Sequence, residues 1–80
     1  MSTSQASHKM ITVDSDILGG KPVFGGTRVP VKNLFDYLET GETIETFLDD
    51  FESVQRWQVI KLLELSHRLI ESSFLMVNNE

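Results

Sequence analysis

Between residues 19 and 30 the chain reads GGKPVFGGTRVP, four glycines and two prolines in twelve residues. No long helix or strand runs through such a stretch, because glycine frees the backbone to adopt positive φ and proline fixes φ and removes a donor. Regular structure must lie on either side, with this segment turning the chain between. Lys21-Pro-Val-Phe24 and Thr27-Arg-Val29 flank Gly25-Gly26. A two-residue Gly-Gly connection suits the primed turns of a β-hairpin, so Gly25, Gly26 and Thr27 are the expected turn residues. Pro22 and Pro30 then belong at strand ends or on an edge. Upstream, Met10-Ile-Thr-Val13 has the β-branched character of a short strand, and Asp14-Ser-Asp16 offers turn chemistry. Residues 1 to 9, small and polar, read as a disordered tail.

After Pro30 the apolar period lengthens from two to three or four. Val31, Leu34, Phe35 and Leu38 form one helical stripe that Thr40-Gly41 stops. Ile44, Phe47, Leu48 and Phe51 repeat the spacing, with Thr43 as N-cap, so a second helix of about three turns follows. A third helix, roughly 54 to 76 with Ser53 as its cap, carries two apolar lines. Ile60, Leu63, Ile70 and Phe74 form one, interrupted by His67, and Leu62, Leu65, Leu69 and Met76 the other. So broad an arc exceeds what a hairpin and two short helices can cover. It predicts a homodimer with Leu62, Leu65, Leu69, Ile70 and Phe74 in the interface. The expected fold class is α+β, mainly α: a single domain over residues 10 to 77 in which a short strand and hairpin precede a three-helix, helix-turn-helix-like unit.

Eighty residues with 40% hydrophobic content give a domain near the small end of the range, which a second chain would help to stabilise. The absence of cysteine excludes a disulfide framework, a thiolate zinc site and a thiol nucleophile, and suits a reducing cytoplasm. No apolar run is long enough for a membrane span or a signal peptide. His8 lies in the tail, and His67 sits between apolar positions where it reads as a packed residue. The glycine-rich stretch has neither the dinucleotide fingerprint nor a phosphate-loop lysine and hydroxyl. The expectation is a protein with no catalytic site, no cofactor and no metal.

Charge is strongly segregated. Residues 1 to 32 carry +2, residues 33 to 55 carry −7 with no Lys or Arg, and the remainder balances. The three-helix pattern resembles a helix-turn-helix unit, whose last helix would offer Ser53, Gln55, Arg56, Gln58 and Lys61 to DNA, with Arg28 and Lys32 as basic support from the hairpin side. Asp49, Asp50 and Glu52 stand immediately before that helix and would repel phosphate. The other reading is a protein-binding module whose acidic middle, or apolar end Phe74-Leu-Met-Val77, covers a basic nuclease.

The run GKPVFGGTRVPV over residues 20 to 31, followed by Leu34, Tyr37-Leu38, Gly41, Phe47-Leu48 and Phe51-x-Ser-Val54, resembles the domain of unknown function 433 family over about residues 10 to 70. The resemblance implies a small prokaryotic protein with a winged-helix-like or helix-turn-helix-like fold. It also implies a dimeric, antitoxin-like partner of a PIN-like ribonuclease toxin; binding of its own operator DNA through the last helix and the basic hairpin is a further expectation from the helix-turn-helix reading. Family members typically carry proline after the aromatic that matches Phe51, whereas this chain has Glu52, which adds negative charge beside the expected DNA-reading helix. Arg28 has two readings: contact with DNA phosphate or a partner, or a structural pair with Glu39 or Glu42.

Overall fold

The computed structural model describes residues 9 to 77, with side chains through Ser73. Strand β1, Ile11–Thr12, pairs antiparallel with β2, Val23–Phe24, with Ile11 opposite Phe24 and Thr12 opposite Val23. The helices are α1, Val31–Glu39, α2, Ile44–Asp50, and α3, Arg56–Val77. The fold class is thus the α+β, mainly α arrangement expected from the sequence. None of the described helices is long and apolar enough to cross a membrane. Residues 1 to 8 of the expected tail lie outside the described residues, whereas Lys9 is within them.

The hairpin differs from its sequence expectation. Thr27 N–H bonds the Phe24 carbonyl at 3.0 Å, so residues 24 to 27 form a β-turn, but the strands do not resume at Thr27. The next closure is Phe24 N–H to the Val29 carbonyl, followed by a single bridge between Val23 and Pro30. Gly26 has φ 75° and Gly25 is not in the left-handed region, the pattern of a type II rather than a primed turn. Thr27 sets this choice. Its buried hydroxyl donates to the Phe24 carbonyl at 2.8 Å and accepts from Val29 N–H at 3.0 Å. That side chain supplies the hydrogen bonds a second strand would otherwise make.

The helical boundaries follow local chemistry. Thr43 Oγ1 accepts from Thr46 N–H at 3.1 Å as the N-cap of α2. α1 ends in a Schellman motif: Glu42 N–H reaches the Tyr37 carbonyl at 2.9 Å and Gly41 N–H the Leu38 carbonyl at 3.1 Å. Gly41 has φ 89°, and a Cβ there would meet nothing within 4 Å. The cost of a side chain is therefore conformational, and Gly41→Ala should lower stability by about 1 kcal/mol in a urea titration. An unchanged midpoint would show that the α1–α2 corner relaxes without strain.

Six residues from all parts of the domain make the core: Phe24, Leu34, Phe47, Val54, Val59 and Leu62. Phe47 sits among the rings of Phe24, Tyr37 and Phe51, with centroids 5.9, 5.4 and 4.9 Å away. α3 contributes to this core only with its first two turns. Leu62, expected in a dimer interface, is 8% exposed and packs inside its own domain. The interface expectation for Leu62 is corrected accordingly: the first turns of α3 need their apolar side to close this core.

Candidate functional site

The start of α3 was the sequence candidate for nucleic-acid reading, and its residues take several different roles. Gln58 is fully buried. Its Oε1 accepts from Gln55 N–H at 2.8 Å, and its Nε2 donates to the carbonyls of Gly25 at 2.9 Å and Lys9 at 3.0 Å. The first contact is half of a capping box, the N3 side chain reaching back to the N-cap N–H. The other two tie the hairpin turn and the N-terminal segment to the helix. Gln58 is thus removed from the set of surface contacts, because every polar atom of its side chain serves the interior. Ser53 is exposed in the turn before α3 and does not cap the helix, a role that falls to Gln55 and Gln58. The Gln55 Oε1 also accepts from the Trp57 indole N–H at 2.8 Å.

The basic candidates on the helices face acids. Arg56 forks onto Glu45, Nη1 and Nη2 lying 2.6 and 2.7 Å from the two carboxylate oxygens. These hydrogen bonds hold the Glu45 carboxyl below its ordinary range and raise Arg56 further. Lys32 lies 2.9 and 3.0 Å from the Asp36 carboxylate one turn along α1, and the contact raises its pKa. Lys61 is 3.9 Å from Glu64. Arg28 is different. It is exposed beside the pinned turn and makes no hydrogen bond or ion pair among the described residues, so neither Glu39 nor Glu42 holds it.

Across α1 and α2 the chain presents carboxylates. Glu39, Glu42, Asp49 and Glu52 are exposed and form no ion pair among the described residues. Asp50 accepts from the Tyr37 hydroxyl at 2.6 Å, joining the two helices. That bond raises the Tyr37 pKa above 10.0, because ionisation would lose the donor and set two anions together. The stability it contributes is complete below the ordinary tyrosine range and is lost as pH rises through the raised folded value. An open groove of about 890 Å³ is lined by Pro22, Pro30, Val31 and Phe35 together with Lys21, Lys32, Asp36 and Glu39, so both signs of charge border it.

The far half of α3 is bare. From His67 to Ser73 every residue is exposed, Leu69 by 68% and Ile70 by 54%, whereas Leu65 is half-buried. The Phe74 side chain lies outside the described ones. Among the described residues no group of three His, Cys, Asp or Glu side chains gathers at metal-binding distance.

Comparison with known proteins matches the family described as protein of unknown function (DUF433) over residues 11 to 64. A relative from Sinorhizobium fredii (strain NBRC 101917 / NGR234), uncharacterized protein y4eO, is 39% identical over 49 residues. The matched stretch covers 61% of this chain and 22% of that protein. No solved structure matches. With the matched region spanning β1 through the buried start of α3, the chain belongs to the DUF433 family.

Proposed function

We propose that this chain is a non-enzymatic, antitoxin-like binding protein that acts as a dimer and neutralises a basic partner of the PIN-like ribonuclease class. One observation carries the reading: the α1–α2 surface offers exposed, unpaired Glu39, Glu42, Asp49 and Glu52, while the cations nearest to it, Lys32 and Arg56, are held by acids of the chain itself. Such a surface speeds encounter with a basic cleft and competes there with the phosphates of RNA. The partner class comes from the family resemblance. The acidic surface supplies the physical reason for such a pairing.

A second reading, contact with operator DNA, is favoured by Arg28. With Gln58 buried and Arg56 and Lys32 paired, Arg28 and Lys21 on the hairpin side are exposed cations that no acid among the described residues holds.

The test uses a PIN-like ribonuclease encoded beside this chain and reads cleavage of single-stranded RNA. The chain is expected to abolish cleavage near equimolar ratio, less effectively as salt rises. The variant E39K/E42K/D49K/E52K should slow association about tenfold or more at low salt. Full neutralisation by that variant, indifferent to salt, would sink the acidic-surface reading. In a parallel titration of a duplex from the upstream region, Arg28→Ala should remove whatever salt-sensitive binding the parent shows.

A further inference from the structure

We infer that the projecting half of α3 is covered by α3 of a second copy, the two helices lying antiparallel and crossing near Leu69 and Ile70. This deepens the dimeric part of the proposed function and rests on it. At 3.6 residues per turn, Val59, Leu62, Ser66, Leu69 and Ser73 lie on one line of the helix. The first two are buried in the domain core, at 0% and 8% exposure, and Leu69 on the same line is 68% exposed with Ile70 beside it. The core stripe runs straight off the domain into solvent. A helix of this length has no reason to persist alone in water, since isolated helical ends depend on packing of an apolar face.

Charge selects the occupant. Lys61, Glu64, Arg68 and Glu71 fall on the opposite side of α3 from the Leu62–Ser66–Leu69 line. Two pairings there are internal to the helix, Lys61 with Glu64 at 3.9 Å and His67 with Glu71 at 3.3 Å. The bare strip is therefore uncharged and offers nothing to the phosphates of nucleic acid or to the cations of a basic nuclease. A second copy presents the same uncharged strip, so a twofold arrangement brings no like charges into contact. Ser66 and Ser73, about one turn either side of Leu69 and Ile70, are small enough for two helix axes to approach closely.

Charge also selects the direction. Each folded domain sits at the N-terminal end of its α3 and carries −7 over residues 33 to 55. Parallel helices would set two such regions side by side, whereas antiparallel helices place them at opposite ends and align the helix dipoles favourably. Position 66 of one copy then stands level with position 73 of the other, and position 77 reaches the level of Leu62, where the core stripe leaves the domain. The two acidic surfaces point away from each other, leaving room for one partner molecule at each end. The strip from Ser66 to Ser73 alone is about 12 Å long, which gives an interface at the small end of specific contacts. Dissociation in the micromolar range follows.

The full chain has no cysteine, so single cysteines report geometry without interference. Ser66→Cys and Ser73→Cys are oxidised separately and as a mixture, at chain concentrations of about 10 to 200 μM, a range set by the expected affinity. The expected result is a disulfide between the two different variants in the mixture and little within either alone, because a disulfide needs Cα atoms within about 7 Å. Leu69→Glu, at an exposed position that the monomer fold does not use, should weaken sedimentation-detected dimerisation by about a hundredfold or more. Crosslinking of each variant to itself would overturn the antiparallel direction while leaving the dimer of the proposed function in place. A parent that sediments as a monomer at every concentration would overturn both.

Discussion

Gln58→Leu is expected to lower stability by about 3 kcal/mol and to shift the urea midpoint accordingly, although leucine matches the volume of the buried side chain. The substitution keeps the packing and removes three hydrogen bonds: those to the Lys9 carbonyl, the Gly25 carbonyl and the Gln55 N–H. Gly25 is buried, so its carbonyl cannot turn to water, and the Gln55 N–H is an orphan donor at a helix start. Lys9 is exposed and its carbonyl recovers a water partner, so the loss is nearer two unsatisfied groups than three. Small domains have only about 5 to 15 kcal/mol in total, which makes this a large fraction. Gln58→Glu sharpens the test. A carboxylate still accepts from Gln55 but cannot donate to either carbonyl, and burial raises its pKa above the ordinary carboxylate range. The protonated acid restores one donor, so this variant should gain stability relative to the parent as pH falls from about 7 to 4. A midpoint for Gln58→Leu within about 0.5 kcal/mol of the parent would mean that water reaches these groups and that the turn is not anchored through Gln58.

Gln58 also marks the limit of what the sequence revealed. The three helices were legible because their signals are local: Thr43 caps α2 with its own side chain, and Gly41 supplies the left-handed residue that ends α1. Glutamine between Arg56 and Lys61 reads as one more polar residue on a solvated helix, yet it lies one turn before Leu62 on the core line. Its burial depends on two segments 33 and 49 residues away folding over it, and no local spacing carries that information. The Gly25-Gly26 pair misled for a related reason. The dipeptide accommodates both primed and type II turns, and the choice is made by the Thr27 hydroxyl bonding either side of the loop. Arg56 and Glu45 are 11 residues apart on different helices, so their fork was hidden as well, and with it the reason the first turn of α3 presents no free guanidinium. The breadth of the apolar arc on α3 was read from the sequence. What the sequence could not divide was the part of that arc the domain covers, up to Leu62, from the part beyond Ser66.

Phe47→Ala should have the largest effect of all, about 3 to 5 kcal/mol, enough to abolish a cooperative thermal transition in a domain of this size. Phe47 is fully buried and is the one ring in contact with Phe24 of β2, Tyr37 of α1 and Phe51 at the end of α2. Truncation removes the transfer energy of the side chain and opens a cavity that three flanking aromatics, each fixed to a different element, cannot easily fill. Phe47→Leu, which retains most of the volume, should cost roughly 1 to 2 kcal/mol and keep a single transition, since it loses ring contacts without leaving so large a void. The same series reports on the acidic surface. Tyr37 packs edge-on to Phe47 while its hydroxyl donates to Asp50, so α1 and α2 hold their relative placement through this ring. Nuclease neutralisation by Phe47→Leu should survive at temperatures where the variant remains folded, and neutralisation by Phe47→Ala should fall in step with its folded fraction measured by circular dichroism. A Phe47→Ala chain that melts cooperatively within about 1 kcal/mol of the parent would show that the core collapses onto the vacated space, and that packing around Phe24, rather than the four-ring cluster, holds the hairpin to the helices.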